Sequence, residues 1–178
     1  NDDGRLLLTT IEKQDILQIE PNAAKFIKPL IGAQEFLNGK DRWCLWLKDA
    51  TPDELRKLTQ VKLRVELVRA YRLRSSRLNT QRLAESAYLF GEIRQPSSDY
   101  IVVPRVSSEN RAFIPIGFFD KNSIVGDTCM AVPNASLYHF GVLSSTMHMA
   151  WVRQVCGRLK GDYRYSAQIV YNNYVWPD

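Results

Sequence analysis

Between Cys156 and Ser166 the chain reads Cys-Gly-Arg-Leu-Lys-Gly-Asp-Tyr-Arg-Tyr-Ser, which sets Lys160, Asp162 and Arg164 at every other position among aromatic residues. Side chains two apart in an extended segment share one face. A lysine donates to guanine O6 and N7, an aspartate accepts from cytosine N4, and an arginine grips a guanine or a phosphate. The spacing thus describes an edge able to read base pairs. It equally describes a solvated strand edge whose charges keep the sheet from pairing with other chains.

A second charged feature lies upstream. Residues 56–82 hold nine basic side chains, among them Arg69 and Arg72, against the single acid Glu66, while the rest of the chain holds fifteen basic and eighteen acidic residues. The net charge of +5 therefore originates in one segment. A concentrated basic face attracts phosphate backbones and makes binding salt-dependent. The same residues also suit a solvated helix face whose arginine stems cover apolar neighbours.

The elements that must position these residues follow from periodicity and capping. Thr9-Thr10-Ile11-Glu12 has capping-box spacing and opens a short helix that Pro21 stops, with a second short helix expected over 22–27. The aromatic and apolar run Trp43-Cys44-Leu45-Trp46-Leu47 reads as a buried strand. Thr51-Pro52-Asp53-Glu54 supplies N-cap, N1 and N3 residues, and Leu55, Leu58, Val61, Val65, Val68 and Tyr71 recur at helical steps. One helix is expected from 52 to about 74, with its arginines outward.

From about Ala87 the period changes to strands, expected over 88–93, 100–104, 112–118 and 123–132. Short helices are expected over 137–143 and from Ser144 to a C′ glycine at Gly157, and a last strand at 169–171. The fold class is α+β: N-terminal helices including one long basic helix, then a mostly antiparallel twisted sheet crossed by a short helix pair. Residues 1–178 are expected to form one domain, with 1–82 mainly helical and 83–178 mainly strand.

Several chemistries find no support. Gly32 and Gly39-Lys40 are too far apart for a phosphate-binding loop, and Asp41 stands where that loop needs a hydroxyl. Pro52-Asp53-Glu54 with Arg56 and Lys57 has the composition of a nuclease carboxylate cluster, yet a helix start explains the same letters. Cys129, His139, His148 and Cys156 lack the short paired spacings of zinc ligands. Neither a Gly-x-Ser-x-Gly elbow nor an Asn-Pro-Pro-aromatic tetrad occurs. No catalytic residue and no metal ligand is assigned.

Cys44, Cys129 and Cys156 are odd in number and widely spaced, so they read as small core residues. No apolar run approaches the roughly 18 residues needed to cross a bilayer, and no signal-peptide pattern opens the chain. A cytoplasmic protein is expected, without a membrane partner. The opening Asn1-Asp2-Asp3, lacking an initiating Met, suggests a piece of a larger protein.

A set of ordered segments resembles one family. They are Arg42-Trp43-Cys44-Leu45-Trp46-Leu47, Pro104-Arg105-Val106-Ser107-Ser108-Glu109, Phe113-Ile114-Pro115-Ile116-Gly117-Phe118 and Pro133-Asn134-Ala135-Ser136-Leu137-Tyr138-His139-Phe140-Gly141. They continue through Met147-His148-Met149-Ala150-Trp151, the Cys156 stretch, and Ile169-Val170-Tyr171-Asn172-Asn173-Tyr174-Val175-Trp176-Pro177. Together they resemble the target-recognition domain of MmeI-like, Type IIL restriction-modification enzymes and their adenine-specific DNA methyltransferase relatives. The likeness spans nearly the whole chain. Tyr174-Val175 stands where the family usually shows Phe-Pro, and Gly161 where Ser is common.

The resemblance implies a bacterial or archaeal parent whose separate catalytic domain uses S-adenosylmethionine to methylate adenine N6, sometimes with a nuclease. This chain would bind double-stranded DNA and hold no cofactor. In such families Lys160 and Asp162 fall at a charged pair that varies with the base pair recognised, with Arg164 two further along and Arg105, Asp127 and Thr128 serving neighbouring bases. Lys160 on guanine and Asp162 on cytosine predict a G:C pair. Arg69, Arg72, Arg111, Arg153 and Arg158 would hold phosphates, which position without reading sequence. For Ser107 and Ser108, phosphate contact and a simple turn remain open. The competing reading is an interaction module docking its basic helix on an acidic partner domain.

Overall fold

The computed structural model describes residues 2–178. In chain order the elements are β1 (Leu7–Leu8), α1 (Thr10–Ile19), a 3-10 turn (Pro21–Phe26), β2 (Ile27–Ile31), α2 (Ala33–Asn38), β3 (Trp43–Leu45), α3 (Pro52–Arg56), α4 (Thr59–Leu73) and α5 (Leu78–Arg82). They continue as β4 (Tyr100–Pro104), β5 (Val106–Ser107), β6 (Gly117–Phe119), β7 (Ile124–Val125), β8 (Cys129–Pro133), α6 (Leu137–Leu143), α7 (Thr146–Val155), β9 (Gly157–Leu159), β10 (Asp162–Arg164) and a π-helical turn (Ala167–Tyr171). This is the expected α+β class. The chain divides into two compact units, one of residues 1–30 and 41–94 and one of 31–40 and 95–178.

In the first unit β3 pairs antiparallel with both β1 and β2, Leu7 facing Cys44 and Ile27 facing Leu45. The capping box at Thr9 forms as expected, Thr9 Oγ1 accepting from the Glu12 N–H while Glu12 Oε2 accepts from the Thr9 N–H. Glu12 also accepts from Arg64 at 2.6 Å. The Thr9 amide and the Arg64 guanidinium hold its carboxyl at about 2. Leu6, Leu8, Ile16, Phe26, Leu45, Leu47, Val61 and Val68 form the core.

The single helix expected over 52–74 is two. α3 opens with the predicted Thr51 capping box, but Leu58 leaves the helical region (φ −108°, ψ 85°) and sinks into the core. A new N-terminus results, and Glu20 at the end of α1 accepts from the Gln60 N–H at 2.6 Å. An acceptor from a distant element thus caps α4, which no local pattern encodes.

The inward stripe of α4 is Val61, Val65, Val68 and Arg72; Tyr71, expected to be buried, faces outward. Arg72 is fully buried and donates to the carbonyls of Leu83 (2.8 Å), Ser86 (3.1 Å) and Leu89 (2.8 Å). Its guanidinium ties down residues 83–89. With those carbonyls so engaged, no strand forms over 88–93, contrary to the sequence expectation.

In the second unit β4 is buried throughout and pairs antiparallel with β6 and β8, Tyr100 facing Phe119 and Pro133. The strand expected over 112–118 is only β6. That expected over 123–132 breaks at residues 126–128 into β7 and β8, where the Gly126 N–H donates to Ile31 O instead. One face of β4 packs on Met149 and Val152 of α7 with Tyr165 and Val170. The other packs on Phe36 and Phe119.

The expected strand at 169–171 is a π-helical turn. Ser166 Oγ accepts from the Ile169 N–H, and the Trp151 indole N–H donates to Val170 O at 2.9 Å, so the segment is satisfied without a strand partner. α7 is capped by Ser145 rather than Ser144, and Gly157 begins β9 rather than ending the helix.

The three cysteines are buried thiols, and burial pushes Cys44 up to about 12. His148 is buried with Nε2 2.9 Å from Tyr165 Oη. Burial holds it neutral, lowering it from 6.5 to about 4. Below pH 6.5 the unfolded chain takes up a proton that the folded chain refuses until about pH 4. Stability should be flat above that window and fall on the order of 2–3 kcal/mol across it. Denaturant unfolding of the chain against pH tests this, and His148→Gln should remove most of that slope.

Candidate nucleic-acid interface

The stretch 156–166 is a hairpin, not one extended edge. β9 and β10 pair antiparallel, Asp162 facing Leu159, Tyr163 facing Arg158 and Arg164 facing Gly157, around the two-residue turn Lys160-Gly161. Lys160 leaves the extended region at φ 56°. The same-face alternation therefore holds for Asp162 and Arg164 but not for Lys160, which stands exposed at the tip. The period-2 reading failed because Lys160-Gly161 is a two-residue turn that reverses the chain inside the run.

β5 extends this sheet on the other side of β10, with Ser107 facing Tyr163 and Val106 facing Arg164. Tyr163 and Ser107 are buried, so their face is the core face. By alternation Asp162 and Arg164 point the other way, Asp162 half-buried and Arg164 exposed. Gly157 places no side chain beside Arg164. The hairpin is held rigid from its core side, where the Arg158 guanidinium lies 3.9 Å from the Tyr163 ring centroid and donates to Gly161 O at 3.1 Å. Such a cation–π contact contributes roughly 0.5–1 kcal/mol at an exposed site.

Asp162 is oriented from a distance: its Oδ1 accepts from the Glu109 N–H at 3.3 Å. Glu109 reaches the tip as well, since a Cβ added to Gly161 would lie 2.9 Å from Glu109 Oε1. Sequence reasoning missed Glu109, and fifty-three residues of separation leave no local signal for it.

Arg105, Asp127 and Thr128 are brought together. The Arg105 backbone N–H donates to Thr128 O at 2.9 Å, and its Nε–H donates to Asp127 O at 2.8 Å. Thr128 Oγ1 accepts from the Ala33 N–H at 2.8 Å, which anchors this loop to the start of α2. Arg105 directly precedes Val106, the residue opposite Arg164. Arg105 thus leads into β5, the strand paired with the Asp162–Arg164 strand.

Ser108, Arg111 and Arg153 meet on the segment 108–112 that follows β5. The Arg111 N–H donates to Ser108 O, the Asn110 N–H to Ser108 Oγ, and the Arg153 guanidinium to Ala112 O at 3.4 Å. Two expected phosphate contacts require correction. Ser107 faces the interior against Tyr163, and Arg72 is committed to three carbonyls in the first unit. Arg69 remains exposed on α4, while Arg56, Lys62 and Arg64 pair with Asp53, Glu66 and Glu12. The basic segment is thus less uniformly available than its composition implies.

The family described as "MmeI, target recognition domain" matches residues 1–178. The chain belongs to this family. One curated member of the comparison, DNA methyltransferase A of Bacillus subtilis (strain 168), is 38% identical over 178 residues, covering all of this chain and 20% of its own length. The solved structure of the Type IIL restriction-modification enzyme MmeI in complex with DNA superposes with a TM-score of 0.95 at 44% identity, over 99% of this chain and 24% of that one. The chain spans about a fifth to a quarter of the relatives it matches. These relatives bear out the family resemblance and give no support to the competing interaction module. No described helix is long and apolar enough to cross a membrane.

Proposed function

We propose that this chain reads DNA sequence on behalf of a larger enzyme that methylates adenine at N6. The observation that carries the reading is the outward row of Asp162 and Arg164, with Lys160 at the hairpin tip and Arg105 just before the adjoining strand, in a fold matching that of MmeI, which was solved with DNA. An acceptor-only carboxylate and neighbouring donors on a hairpin held in a small three-stranded sheet match the major groove, where each base pair presents its own donor and acceptor pattern. Lys160 on guanine with Asp162 on the paired cytosine reads G:C. Arg164, Arg105, Asp127 and Thr128 face adjacent pairs.

Arg69, Arg111, Arg153, Arg158 and Ser108 serve phosphates in this account. S-adenosylmethionine, which supplies the methyl group, belongs to the catalytic domain of the parent, and the bacterial cytoplasm is the compartment. No step of the methyl transfer is assigned to residues of this chain.

Binding of the full-length polypeptide to duplexes across a salt series tests the sorting of contacts. Arg69→Ala and Arg111→Ala should weaken binding to all sequences alike, each lowering the slope of log affinity against log salt by about one. A change in sequence preference from either would place that arginine on a base instead.

A further inference from the structure

Arg105, Asp127 and Thr128 meet because the β4–β8 ladder brings them together. The ladder ends with Pro104 facing Cys129, and the Arg105 N–H on Thr128 O carries the pairing one residue further. The Arg105 Nε–H is committed to Asp127 O, so the Nη1–Nη2 fork is the edge that can meet a base. The direction of that fork therefore depends on where the main chain of residues 127–128 lies.

That main chain is held by a segment of the same unit ninety-five residues away in sequence. The Gly126 N–H donates to Ile31 O at 2.9 Å, and Thr128 Oγ1 accepts from the Ala33 N–H at 2.8 Å, so residues 31–33 grip the loop on both sides of Asp127. The two backbones lie against each other. A Cβ on Gly126 would stand 3.3 Å from Gly32 Cα and 3.4 Å from Ile31 O, and one on Gly32 would stand 3.0 Å from Thr128 Oγ1 and 2.5 Å from Glu35 Oε2. Glycine at both positions permits this close approach. Gly32 has no side chain with which to cap α2, and Thr128 supplies the acceptor.

We propose that Thr128 is a positioning residue: its hydroxyl is turned onto Ala33, and through that bond residues 31–33 set where Asp127 and the Arg105 guanidinium stand against DNA. The inference rests on the base-reading account for Arg105 and Asp127, and within that account it gives Thr128 an indirect part. A binding constellation has to be held within about 0.5 Å of its productive geometry by the residues behind it. The bonds at Gly126 and Thr128 hold Asp127 in that way from its two sides.

Initial methylation rates of the full-length polypeptide, on duplexes that depart from its motif by one base pair at a time, test this. Thr128→Val keeps the shape of the side chain and removes the acceptor. Ala33→Pro removes the donor without altering Thr128, at a first helical position where proline is tolerated and after a Gly32 already extended at ψ 177°. Both should lower discrimination by roughly tenfold, the loss of one good base contact, at the pair that Arg105→Ala relaxes. The pair that responds to Lys160 and Asp162 should be unaffected. Thr128→Ser, which keeps the hydroxyl, should retain most of what Thr128→Val loses. If Ala33→Pro discriminates as the native polypeptide does, or Thr128→Ser fails as Thr128→Val does, Thr128 touches the base itself and the proposal is overturned. A loss shared equally by every pair would also overturn it, leaving the bond a role in fold stability alone. Arg105→Ala separates the two accounts. If it changes no preference, the base reading at Arg105 has failed and the positioning with it; if it relaxes one pair that the other variants leave intact, only the positioning has failed.

Discussion

Exchanging Lys160 for Glu and Asp162 for Arg together, in the full-length polypeptide, is expected to turn the preference at one base pair from G:C to C:G. In the present pair the ammonium donates to guanine O6 and N7 and the carboxylate accepts from cytosine N4. The exchange inverts the order of donor and acceptor across the groove, and an arginine at 162 grips guanine O6 and N7 with a planar fork. Each good contact discriminates by about 1 to 3 kcal/mol, so reversal should amount to roughly tenfold or more in each direction.

The site accommodates the exchange. Lys160 already sits at φ 56° in the turn, a position no less suited to Glu than to Lys, and among the described residues the Glu109 N–H is the donor to the Asp162 carboxylate. The Glu109 carboxylate beside Gly161 then faces the incoming guanidinium. Either substitution alone leaves two like charges at the tip, and both duplexes should be poor substrates. Initial methylation rates on two duplexes differing only in that pair decide the matter. An unchanged preference in the double variant would remove the pair from the reading.

The largest stability effect is expected at Arg72, a residue whose basic neighbours invite a phosphate role. Arg72→Met removes the donors to Leu83, Ser86 and Leu89 and leaves three carbonyls of a folded-back segment without partners. Orphaning buried acceptors costs about 1 to 3 kcal/mol each, less whatever water recovers, and breaking a buried charged network costs about 3 to 5 kcal/mol. A loss of about 3 to 5 kcal/mol in denaturant unfolding is therefore expected. Arg69→Ala, three residues away on the exposed side, should fall within about 0.5 kcal/mol. If the two variants are equally stable, Arg72 is not the tie that the geometry describes.

Arg72 also shows where the sequence was legible and where it was not. Capping boxes at Thr9 and Thr51, the buried strand at Trp43 and the helix pair after Ser136 follow from local chemistry, and all form. The break at Leu58 does not, because its cause is Glu20, forty residues from the amide it caps. Periodicity placed Tyr71 inside and counted Arg72 among the outward arginines. A helix face can be assigned from apolar spacing only when no charged residue has an interior set of acceptors waiting for it.

The candidate interface divides in the same way. The residue types at 160, 162 and 164 announced donors and acceptors for bases, and the fold keeps Asp162 and Arg164 on one outward face. The turn at Lys160-Gly161 is closed by the neighbouring strands β9 and β10, but the burial of Ser107 and the hold of Glu109 on Asp162 depend on partners more than fifty residues away. Those partners carry no mark in the local sequence.

The most direct measurement is long-read methylation sequencing of genomic DNA from a host expressing the full-length polypeptide, native and with Lys160→Glu and Asp162→Arg combined. The account predicts one adenine-methylated motif containing a G:C pair, with that pair alone changed to C:G in the double variant. A folded, expressed polypeptide that leaves no methylated motif, or one whose motif is indifferent to the exchange, would contradict it.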